Sequence, residues 1–274
     1  MQISDLRLIE IELFSYCNRK CAWCPNSFID RDCHKPIEFL DLDILCDLVI
    51  DLSRANYKNY ISFSRYNEPF SHIQQFKSRV EFIKRSLPEA TLVTNTNGDY
   101  LSEENLQGLF IDELTIMDYD CRGLYWCLKK LIQCNCEIDN VKNQYIYAHY
   151  DNMKIIYYVD WPKHSQINDR GGSLNQYSLL ERNRPCLEPQ YFIGINYDGT
   201  VSPCCNIRND IEQHQEYIMG NLNSTTLTSI ITSPKFESFR DVCAAGRFEE
   251  GSPCYYCQNG GGRYTRDKGG IDYV

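Results

Sequence analysis

Residues 6–24, with the sequence LRLIEIELFSYCNRKCAWC, contain the features that decide the fold. Residues 6–16 alternate apolar and polar side chains, which is the pattern of a β-strand with one buried face. The strand leads directly into a polar loop in which Cys17, Cys21 and Cys24 follow the spacing CxxxCxxC. Parallel α/β sheets place their reactive groups on loops at the C-terminal ends of the strands. We therefore expect these cysteines to lie at the active edge of such a sheet.

Helical and strand patterns alternate downstream of this loop. Helices are predicted at 41–54, 73–86 and 122–133, and strands at 60–64, 91–95, 114–117 and 154–159. Strands that alternate with helices predict parallel pairing in βαβ units, and hence an α/β fold. Together with residues 6–16 this makes five predicted strands, and the periodicity does not decide whether they close into a barrel.

The character of the sequence changes after about residue 165. Tyr197-Asp198-Gly199 lies between two short apolar segments and predicts a β-hairpin. Ser233-Pro234 is a typical helix start, and Gly246 is a typical helix end. We therefore predict two domains, a larger one at residues 1–165 and a smaller one at residues 166–274 that contains the hairpin and this helix.

The composition excludes several classes of protein. The 274 residues have a net charge of −9 and no stripe of Lys and Arg, which argues against binding to nucleic acid phosphates. No apolar stretch is long enough for a signal peptide or a membrane span, so we predict a cytoplasmic protein with no membrane partner. The 15 cysteines are an odd number. In a reducing compartment they are expected to be metal ligands or free thiols rather than disulfides.

The spacing of the cysteines offers two kinds of metal site. Three thiolates at CxxxCxxC can hold three corners of a [4Fe–4S] cube and leave the fourth iron open. Structural zinc needs four ligands, and here the fourth would be Cys33 at an irregular spacing, so the first set favours a cluster. A second set consists of Cys186, Cys204, Cys254 and Cys257. Four thiolates could bind either zinc or another cluster, and the spacing does not distinguish between the two.

With Trp23 before its last cysteine, the CxxxCxxC loop resembles the defining motif of the radical S-adenosylmethionine superfamily. Residues 66–69 (YNEP) and 95–98 (NTNG) resemble the cofactor-binding segments of that superfamily, in the same order. The resemblance implies a partial (β/α) TIM-like barrel of five or six parallel strands. It also implies a [4Fe–4S] cluster at which S-adenosylmethionine is cleaved to a 5′-deoxyadenosyl radical. The contacts to the cofactor that it implies are Trp23, Tyr66, Asn67, Glu68, Asn95 and Asn97.

The C-terminal region resembles the SPASM/twitch extension of the same superfamily, in its shorter twitch form. The likeness covers residues 201–205, 219–222 and 233–240 and the pair Cys254-x-x-Cys257. It implies that residues 166–274 form a small iron–sulfur domain, with a β-hairpin and a helix. In that domain the second cysteine set would hold one auxiliary [4Fe–4S] cluster near the substrate, where such clusters often accept an electron.

Within the superfamily, the chain resembles aminocyclitol dehydrogenases and related aminoglycoside-tailoring enzymes. The matching segments are residues 9–12, 17–19, 24–27, 96–99 and 170–172. This resemblance implies that Arg170 lies beside the carbinol of the substrate. The sequence differs at Ala22, where those enzymes have Trp, and at Cys205-Asn206, where they have Phe-Glu. We therefore expect a pocket for a different substrate.

These features together predict an oxidoreductase that converts a carbinol of a sugar, aminocyclitol or aminoglycoside-like compound to a ketone, with Arg170 assisting at the hydroxyl. An electron donor of the flavodoxin or ferredoxin type is the implied partner. One alternative is an epimerase in which Cys243 or Cys205 returns a hydrogen atom, although Cys243 also falls on one helical stripe with Phe236 and Phe239 and fits a packing role. Two others are a maturase acting on a short peptide and a zinc-stabilised interaction protein.

Overall fold

The structure is a computed structural model of the chain, and it describes residues 1–29, 31, 36–165, 167–177 and 180–258. Cys33, considered above as a fourth ligand, lies outside these residues. One ten-stranded sheet organises the described part of the chain. Its strands are β1 Leu8–Ile11, β2 Tyr60–Ser62, β3 Thr91–Thr96, β4 Glu113–Met117, β5 Glu137–Lys142, β6 Tyr145–Tyr150, β7 Met153–Tyr158, β8 Phe192–Ile195, β9 Thr200–Ser202 and β10 Gly220–Asn221.

The six central strands are parallel, in the order β8-β1-β2-β3-β4-β7. In register, Leu8 of β1 lies opposite both Tyr60 of β2 and Phe192 of β8. Antiparallel strands extend both sides, β6 and β5 beyond β7, and β9 and β10 beyond β8. The prediction of five or six parallel strands is confirmed, with six. In the hydrogen-bonded order of the described strands, β10 and β5 are the two ends of an open sheet.

Helices lie between successive strands of the parallel sheet, and the last two helices follow β10. Their bounds are α1 Leu42–Arg54, α2 Ile73–Ser86, α3 Glu103–Leu106, α4 Leu124–Gln133, α5 Trp161–His164, α6 Glu188–Tyr191, α7 Leu227–Ile231 and α8 Pro234–Ala245. Short 3-10 helices cover Ile3–Asp5, Pro25–Ser27, Pro69–His72, Asn175–Tyr177 and Glu212–Tyr217. No helix in the described ranges combines the length and the hydropathy that crossing a membrane requires.

The helix ends follow from local side-chain chemistry. The side chains of Asp41, Ser102 and Ser233 accept hydrogen bonds from backbone N–H groups in the first turns of α1, α3 and α8. Gly246 ends α8 in the left-handed conformation, at φ 66°, which costs a glycine little. The predicted helices at 41–54 and 73–86, the N-cap of α8 and the hairpin between β8 and β9 are all confirmed.

Two features differ from the sequence predictions. The antiparallel hairpin β5–β6 was not predicted, because β5 is polar and mostly exposed and so lacks an apolar period. The position of Cys46 in the apolar helix predicted at 41–54 favours a place in the core, and this is wrong, since its side chain is exposed. Cys127, Cys134 and Cys136 form no ligand pattern in the sequence, and they are buried.

The strand β1 separates the hydrophobic core from the polar site. Ile9 and Ile11 are fully buried and belong to the main hydrophobic cluster. The residues at alternate positions, Glu10 and Glu12, pair instead with Arg65 and Arg31. Because strand side chains alternate between two faces, β1 contributes to both the core and the charged face that leads to the cysteine loop.

Candidate active site

The first cysteine set lies on the loop after β1, at the C-terminal edge of the parallel strands. The Cys17 N–H donates to the carbonyl of Arg31, and the Cys24 N–H donates to the carbonyl of Cys21. Burial, together with the neighbouring thiols of the set, raises the pKa of Cys17 to about 12 and that of Cys21 to about 11. The three side chains therefore share one partly buried space, as ligands of one group must.

A network of ion pairs and amides ties this loop to the ends of β3 and β4. Arg19 contacts the carboxylates of Asp99, at 2.5 Å, and Asp120, at 2.8 Å. The Asn18 amide donates to Asp99 and accepts from the Asn97 amide, at 2.8 and 2.9 Å. The contacts fix the position of the cysteine loop relative to the segment that was predicted to bind the cofactor.

Glu68 is buried at the end of the loop after β2 and is 3% exposed. Its carboxylate accepts hydrogen bonds from the Thr96 hydroxyl (2.5 Å), the Asn97 N–H (2.8 Å) and the Phe70 N–H (3.1 Å). Burial raises the pKa of Glu68 to about 7, although these hydrogen bonds act in the opposite direction. A carboxylate offers about four acceptor positions. Glu68 can therefore hold the end of β3 in place and still accept from a bound ammonium group.

Three aromatic rings form a cluster beside the cysteine loop. The ring of Trp23 lies 5.8 Å from that of Tyr119 and 5.8 Å from that of Trp161, and these two are 5.2 Å apart. Tyr119 follows β4, and Trp161 begins α5 after β7. Of these three rings, the sequence indicates only Trp23 as a cofactor contact, and the structure adds two flat apolar surfaces on which a planar ligand can pack.

Arg170 lies on a loop in the left-handed conformation, at φ 50°. Burial raises the pKa of both Tyr66 and Tyr119, and the positive charge of Arg170 acts against this rise in both rings. Arg170 is therefore close to the loops that follow β2 and β4. The Tyr66 hydroxyl donates to the carbonyl of Cys205 at 2.8 Å, so Cys205 lies in the same neighbourhood.

The loop of Arg170 is held by the residue that follows it and by His214. Gly171 has φ +68°, and a Cβ there would lie 3.0 Å from the Asn206 carbonyl oxygen and 3.2 Å from His214 Nε2. His214 is fully buried; its Nε2 contacts the Gly171 carbonyl at 2.7 Å, and its Nδ1 accepts from the Arg208 N–H at 3.1 Å. These contacts require a neutral imidazole, and burial lowers the pKa of His214 accordingly.

A buried ionic network joins the first cysteine loop to the C-terminal region. Arg31 pairs with Glu12 at 2.5 Å and with Asp210 at 2.7 Å. Asp210 also pairs with Arg208 at 2.6 Å. Arg208 donates in turn to the Asn26 side chain, just after the CxxxCxxC loop, at 2.9 Å. The two regions are thus fixed to each other by charges withdrawn from water.

The second cysteine set lines one cavity of about 390 Å³, a volume that includes its opening to solvent. All four predicted ligands, Cys186, Cys204, Cys254 and Cys257, are part of its wall. A fifth cysteine, Cys243, also lines it. Cys243 is 1% exposed, its side chain hydrogen bonds to that of Cys254, and its carbonyl accepts from the Cys186 N–H at 2.8 Å. Cys243 thus lies at the auxiliary site, whereas Cys205 lies near Tyr66.

The remaining predicted cofactor contacts have other partners in the structure. The Asn67 side chain accepts from the Arg65 N–H and donates to the Phe63 carbonyl, at 3.2 and 3.3 Å. The Asn95 N–H donates to the Ser64 hydroxyl at 3.0 Å. The assignment of both residues to the cofactor stays a prediction, as do the roles of Arg170, Cys205 and Cys243 in the reaction.

Comparison with known proteins shows similarity over the C-terminal region and over nearly the whole chain. The SPASM iron–sulfur cluster-binding domain matches residues 186–258, which include the four cysteines of the second set. The S-adenosyl-L-methionine-dependent 2-deoxy-scyllo-inosamine dehydrogenase of Niallia circulans is 29% identical over 257 residues, covering 92% of this chain and of that protein. The crystal structure of BtrN in complex with AdoMet and 2-DOIA matches with a TM-score of 0.71 and 26% identity, over 93% of both chains. These similarities support the resemblance of the chain to the radical S-adenosylmethionine superfamily. BtrN in an open conformation has the same fold, with a TM-score of 0.63 and 24% identity over 93% of this chain and 92% of that one.

The two cysteine sets fit the cofactors of that superfamily. Within the described residues, no three His, Cys, Asp or Glu side chains converge as ligands of a single metal ion. A [4Fe–4S] cube instead bonds each thiolate to a different iron, and the second set surrounds a cavity of suitable chemistry. The first set would hold a cluster through three cysteines, with Glu68 and the aromatic cluster as nearby polar and apolar contacts for S-adenosylmethionine. The protein therefore binds two [4Fe–4S] clusters and S-adenosylmethionine.

Several residues of this site were not predicted. Tyr119 follows β4 at the C-terminal edge of the sheet, and this position alone does not define its role. Trp161, His214 and Arg208 form no motif in the sequence, because each acts through a partner far along the chain. Only the folded structure brings such partners together.

Proposed function

We propose that this radical S-adenosylmethionine protein oxidises a secondary alcohol of an aminocyclitol or a closely related amino sugar to a ketone. The observation that carries the proposal is the hydrogen-bonded chain from Asn18 of the first cysteine loop through Asn97 to Glu68, which joins the predicted cluster site to the predicted cofactor site. The similarity of 92% of the chain to a 2-deoxy-scyllo-inosamine dehydrogenase supports both the reaction and the class of substrate.

The first cysteine set would hold one cluster, and Glu68 would accept a hydrogen bond from the ammonium group of S-adenosylmethionine. When bound, these groups supply the removal of a hydrogen atom from an unactivated C–H bond, a reaction outside the reach of protein side chains. The rings of Trp23, Tyr119 and Trp161 would exclude water from this space and orient the planar part of the cofactor. The second set would hold the cluster that accepts an electron. A flavodoxin or ferredoxin would supply the electron that starts the reaction.

Arg170 would contact the hydroxyl oxygen of the substrate. A guanidinium group remains protonated in proteins, so Arg170 does not act as the base. Its charge instead stabilises the negative charge that develops on oxygen as the hydroxyl loses its proton, an effect that is largest where water is excluded. Gly171 and His214 support this role by fixing the loop on which Arg170 lies.

The rival reaction, epimerisation, needs a thiol that faces the substrate. Cys243 is buried at the auxiliary cavity and hydrogen bonds to Cys254, which favours a role at that cluster over hydrogen donation. Cys205 is half-buried and lies by the Tyr66 hydroxyl, so it is the thiol to test for the rival.

Because the sequence departs from the dehydrogenases at Ala22 and Cys205-Asn206, the proposal is tested by anaerobic turnover of the reconstituted enzyme, in deuterated water, with 2-deoxy-scyllo-inosamine and a panel of related aminocyclitols and amino sugars. We expect about one ketone per 5′-deoxyadenosine, measured by mass spectrometry, and no deuterium on a recovered carbinol carbon. Replacing Arg170 with Gln should lower kcat by about 10²- to 10³-fold, as for other lost oxyanion contacts, and Lys should restore part of it. An epimer that contains deuterium, abolished by Cys205→Ala, would establish the rival instead.

The exposed Arg184 provides a matched control, because Arg184→Gln removes the same charge from the same region. Turnover by this variant should equal that of the unmodified enzyme. Equal losses in the Arg170 and Arg184 variants would contradict a specific role of Arg170.

A further inference from the structure

A buried arginine faces the auxiliary cavity and has no role in the reaction described above. Arg182 is 5% exposed and lines the cavity together with the four cysteines. Its guanidinium donates to three backbone carbonyls, those of Arg184 at 2.9 Å, Cys257 at 2.8 Å and Pro185 at 2.6 Å. These carbonyls fix the orientation of the guanidinium group. A positive charge is therefore held in one orientation at the wall of the cavity.

The charge of Arg182 is close to two of the predicted ligands. Arg182 lines the cavity together with Cys186 and Cys254, so a group bound between these cysteines lies next to its charge. Glu188 lines the same cavity and carries the opposite charge, so the effect of Arg182 is measured with Glu188 left in place.

Asn206 contacts the same site by a direct hydrogen bond to sulfur. Its amide Nδ2 donates to Cys257 Sγ at 3.4 Å, and the residue is 1% exposed. The Cys205 thiol lies 3.9 Å from Asn206 Oδ1 and donates to it. The side-chain amide of Asn206 therefore has its oxygen toward Cys205 and its NH₂ group toward Cys257. In this orientation the amide donates to the sulfur of Cys257.

Both features have one electrostatic consequence for a cluster in this cavity. The reduction potential of an iron–sulfur cluster depends on nearby charge, on hydrogen bonds to its sulfurs and on exposure to solvent. Reduction adds one negative charge, and a fixed cation or an N–H···S bond stabilises that charge more strongly inside a protein than in water. We propose that Arg182 and Asn206 raise the reduction potential of the auxiliary cluster and thereby make it the electron acceptor of the reaction.

This inference rests on the proposed function for the direction of electron flow. Oxidation of a carbinol to a ketone removes one hydrogen atom from carbon, one proton from the hydroxyl and one further electron. The hydrogen atom ends on 5′-deoxyadenosine and the proton goes to solvent. The cluster that the second set would hold is the proposed acceptor of this electron. A higher potential favours this last transfer.

The test measures the potential directly. In a full-length chain with Cys17, Cys21 and Cys24 replaced by Ala, reconstitution should leave one cluster with about four irons. A redox titration followed by electron paramagnetic resonance then gives its midpoint, in the absence of S-adenosylmethionine and substrate. Against this background, Arg182→Gln should shift the equilibrium between oxidised and reduced cluster about tenfold toward the oxidised form, or about 59 mV for one electron.

Three further variants define the outcome. Asn206→Leu removes the N–H···S bond and should shift the equilibrium between oxidised and reduced cluster about threefold toward the oxidised form. Arg182→Lys keeps the charge and should shift this equilibrium less than Arg182→Gln. Arg184→Gln removes an exposed charge two residues away and should leave the midpoint unchanged. A midpoint in Arg182→Gln equal to that in Arg184→Gln, at full iron content, overturns the inference. If Arg182→Gln binds no cluster, an unshifted midpoint in Asn206→Leu overturns it.

The potential is independent of turnover, so the two proposals fail separately. Absence of ketone in the turnover experiment, together with the expected shifts, would reject the proposed reaction and keep the roles of Arg182 and Asn206. Normal turnover with unshifted midpoints would do the reverse.

Discussion

The buried pair between Glu12 and Arg31 should contribute far more to stability than an exposed pair of similar geometry. The side chains of Glu12 and Arg31 are 0% and 3% exposed, and their atoms approach to 2.5 Å. Lys58 and Glu89 pair at 2.8 Å, but their side chains are 47% and 65% exposed. Replacing Glu12 or Glu89 with Gln removes one negative charge in each case and changes the size of the side chain little.

The expected magnitudes follow from the surroundings of each pair. Without the charge of Glu12, the guanidinium groups of Arg31 and Arg208 share the single carboxylate of Asp210. Leaving a buried charge without its partner costs about 3–5 kcal/mol in free energy of unfolding. Water and salt screen the exposed pair, so Glu89→Gln should cost at most about 1 kcal/mol.

Anaerobic thermal unfolding of the reconstituted protein, followed by tryptophan fluorescence, measures the difference. At about 2–4 °C per kcal/mol for a chain of this size, Glu12→Gln should lower Tm by about 6–20 °C, and Glu89→Gln by no more than about 4 °C. The iron content of both variants is the control, because loss of a cluster would lower Tm by a separate route. Equal Tm values at equal iron content would refute the claim that burial makes the pair with Arg31 strong.

Three other changes have defined outcomes. The pKa of His214 in the folded state lies below 6.5, so the unfolded state binds more protons just below that pH. The free energy of unfolding should therefore fall as the pH drops through about 6.5. Urea titrations at several pH values should show a weaker dependence of this free energy on pH in His214→Gln. Cys204→Ser should reduce the iron bound after reconstitution from about eight to about four atoms per chain. Cys46→Ser, at an exposed cysteine, should leave the iron content unchanged. A normal iron content in Cys204→Ser would remove Cys204 from the ligand set. Ser233→Ala removes the N-cap of α8 and should cost about 1 kcal/mol in urea unfolding, with no effect if the hydrogen bond to the Phe236 N–H contributes nothing.

The parts of the fold that the sequence predicted are those with strong local patterns. Helices α1 and α2 have apolar faces at helical spacing, and their bounds agree with the prediction to within a residue. The hairpin β5–β6 has no such pattern, because β5 is polar and exposed, and it was missed. Local periodicity predicts an element only where one of its faces is buried.

The candidate site divides in the same way. Its cysteines were predictable because metal ligands need fixed residue types at recognisable spacings. The positions of Arg182, Asn206 and His214 were not, because their roles depend on contacts with the carbonyl of Cys257, the sulfur of Cys257 and the loop at Gly171. Contacts of this kind link distant segments and leave no period or motif in the sequence.

The parallel pairing of β1 with β8 has a consequence for how the chain folds. β1 forms at the start of the chain, yet one of its two neighbours, Phe192–Ile195, is synthesised only near the end. Pairing between such distant segments requires closure of a long loop, which slows folding. Until β8 arrives, one edge of β1 has unpaired backbone groups that can pair with another chain. We therefore expect ribosome-bound or truncated chains that end before residue 192 to aggregate readily, and insertion of the clusters to follow release of the full-length protein.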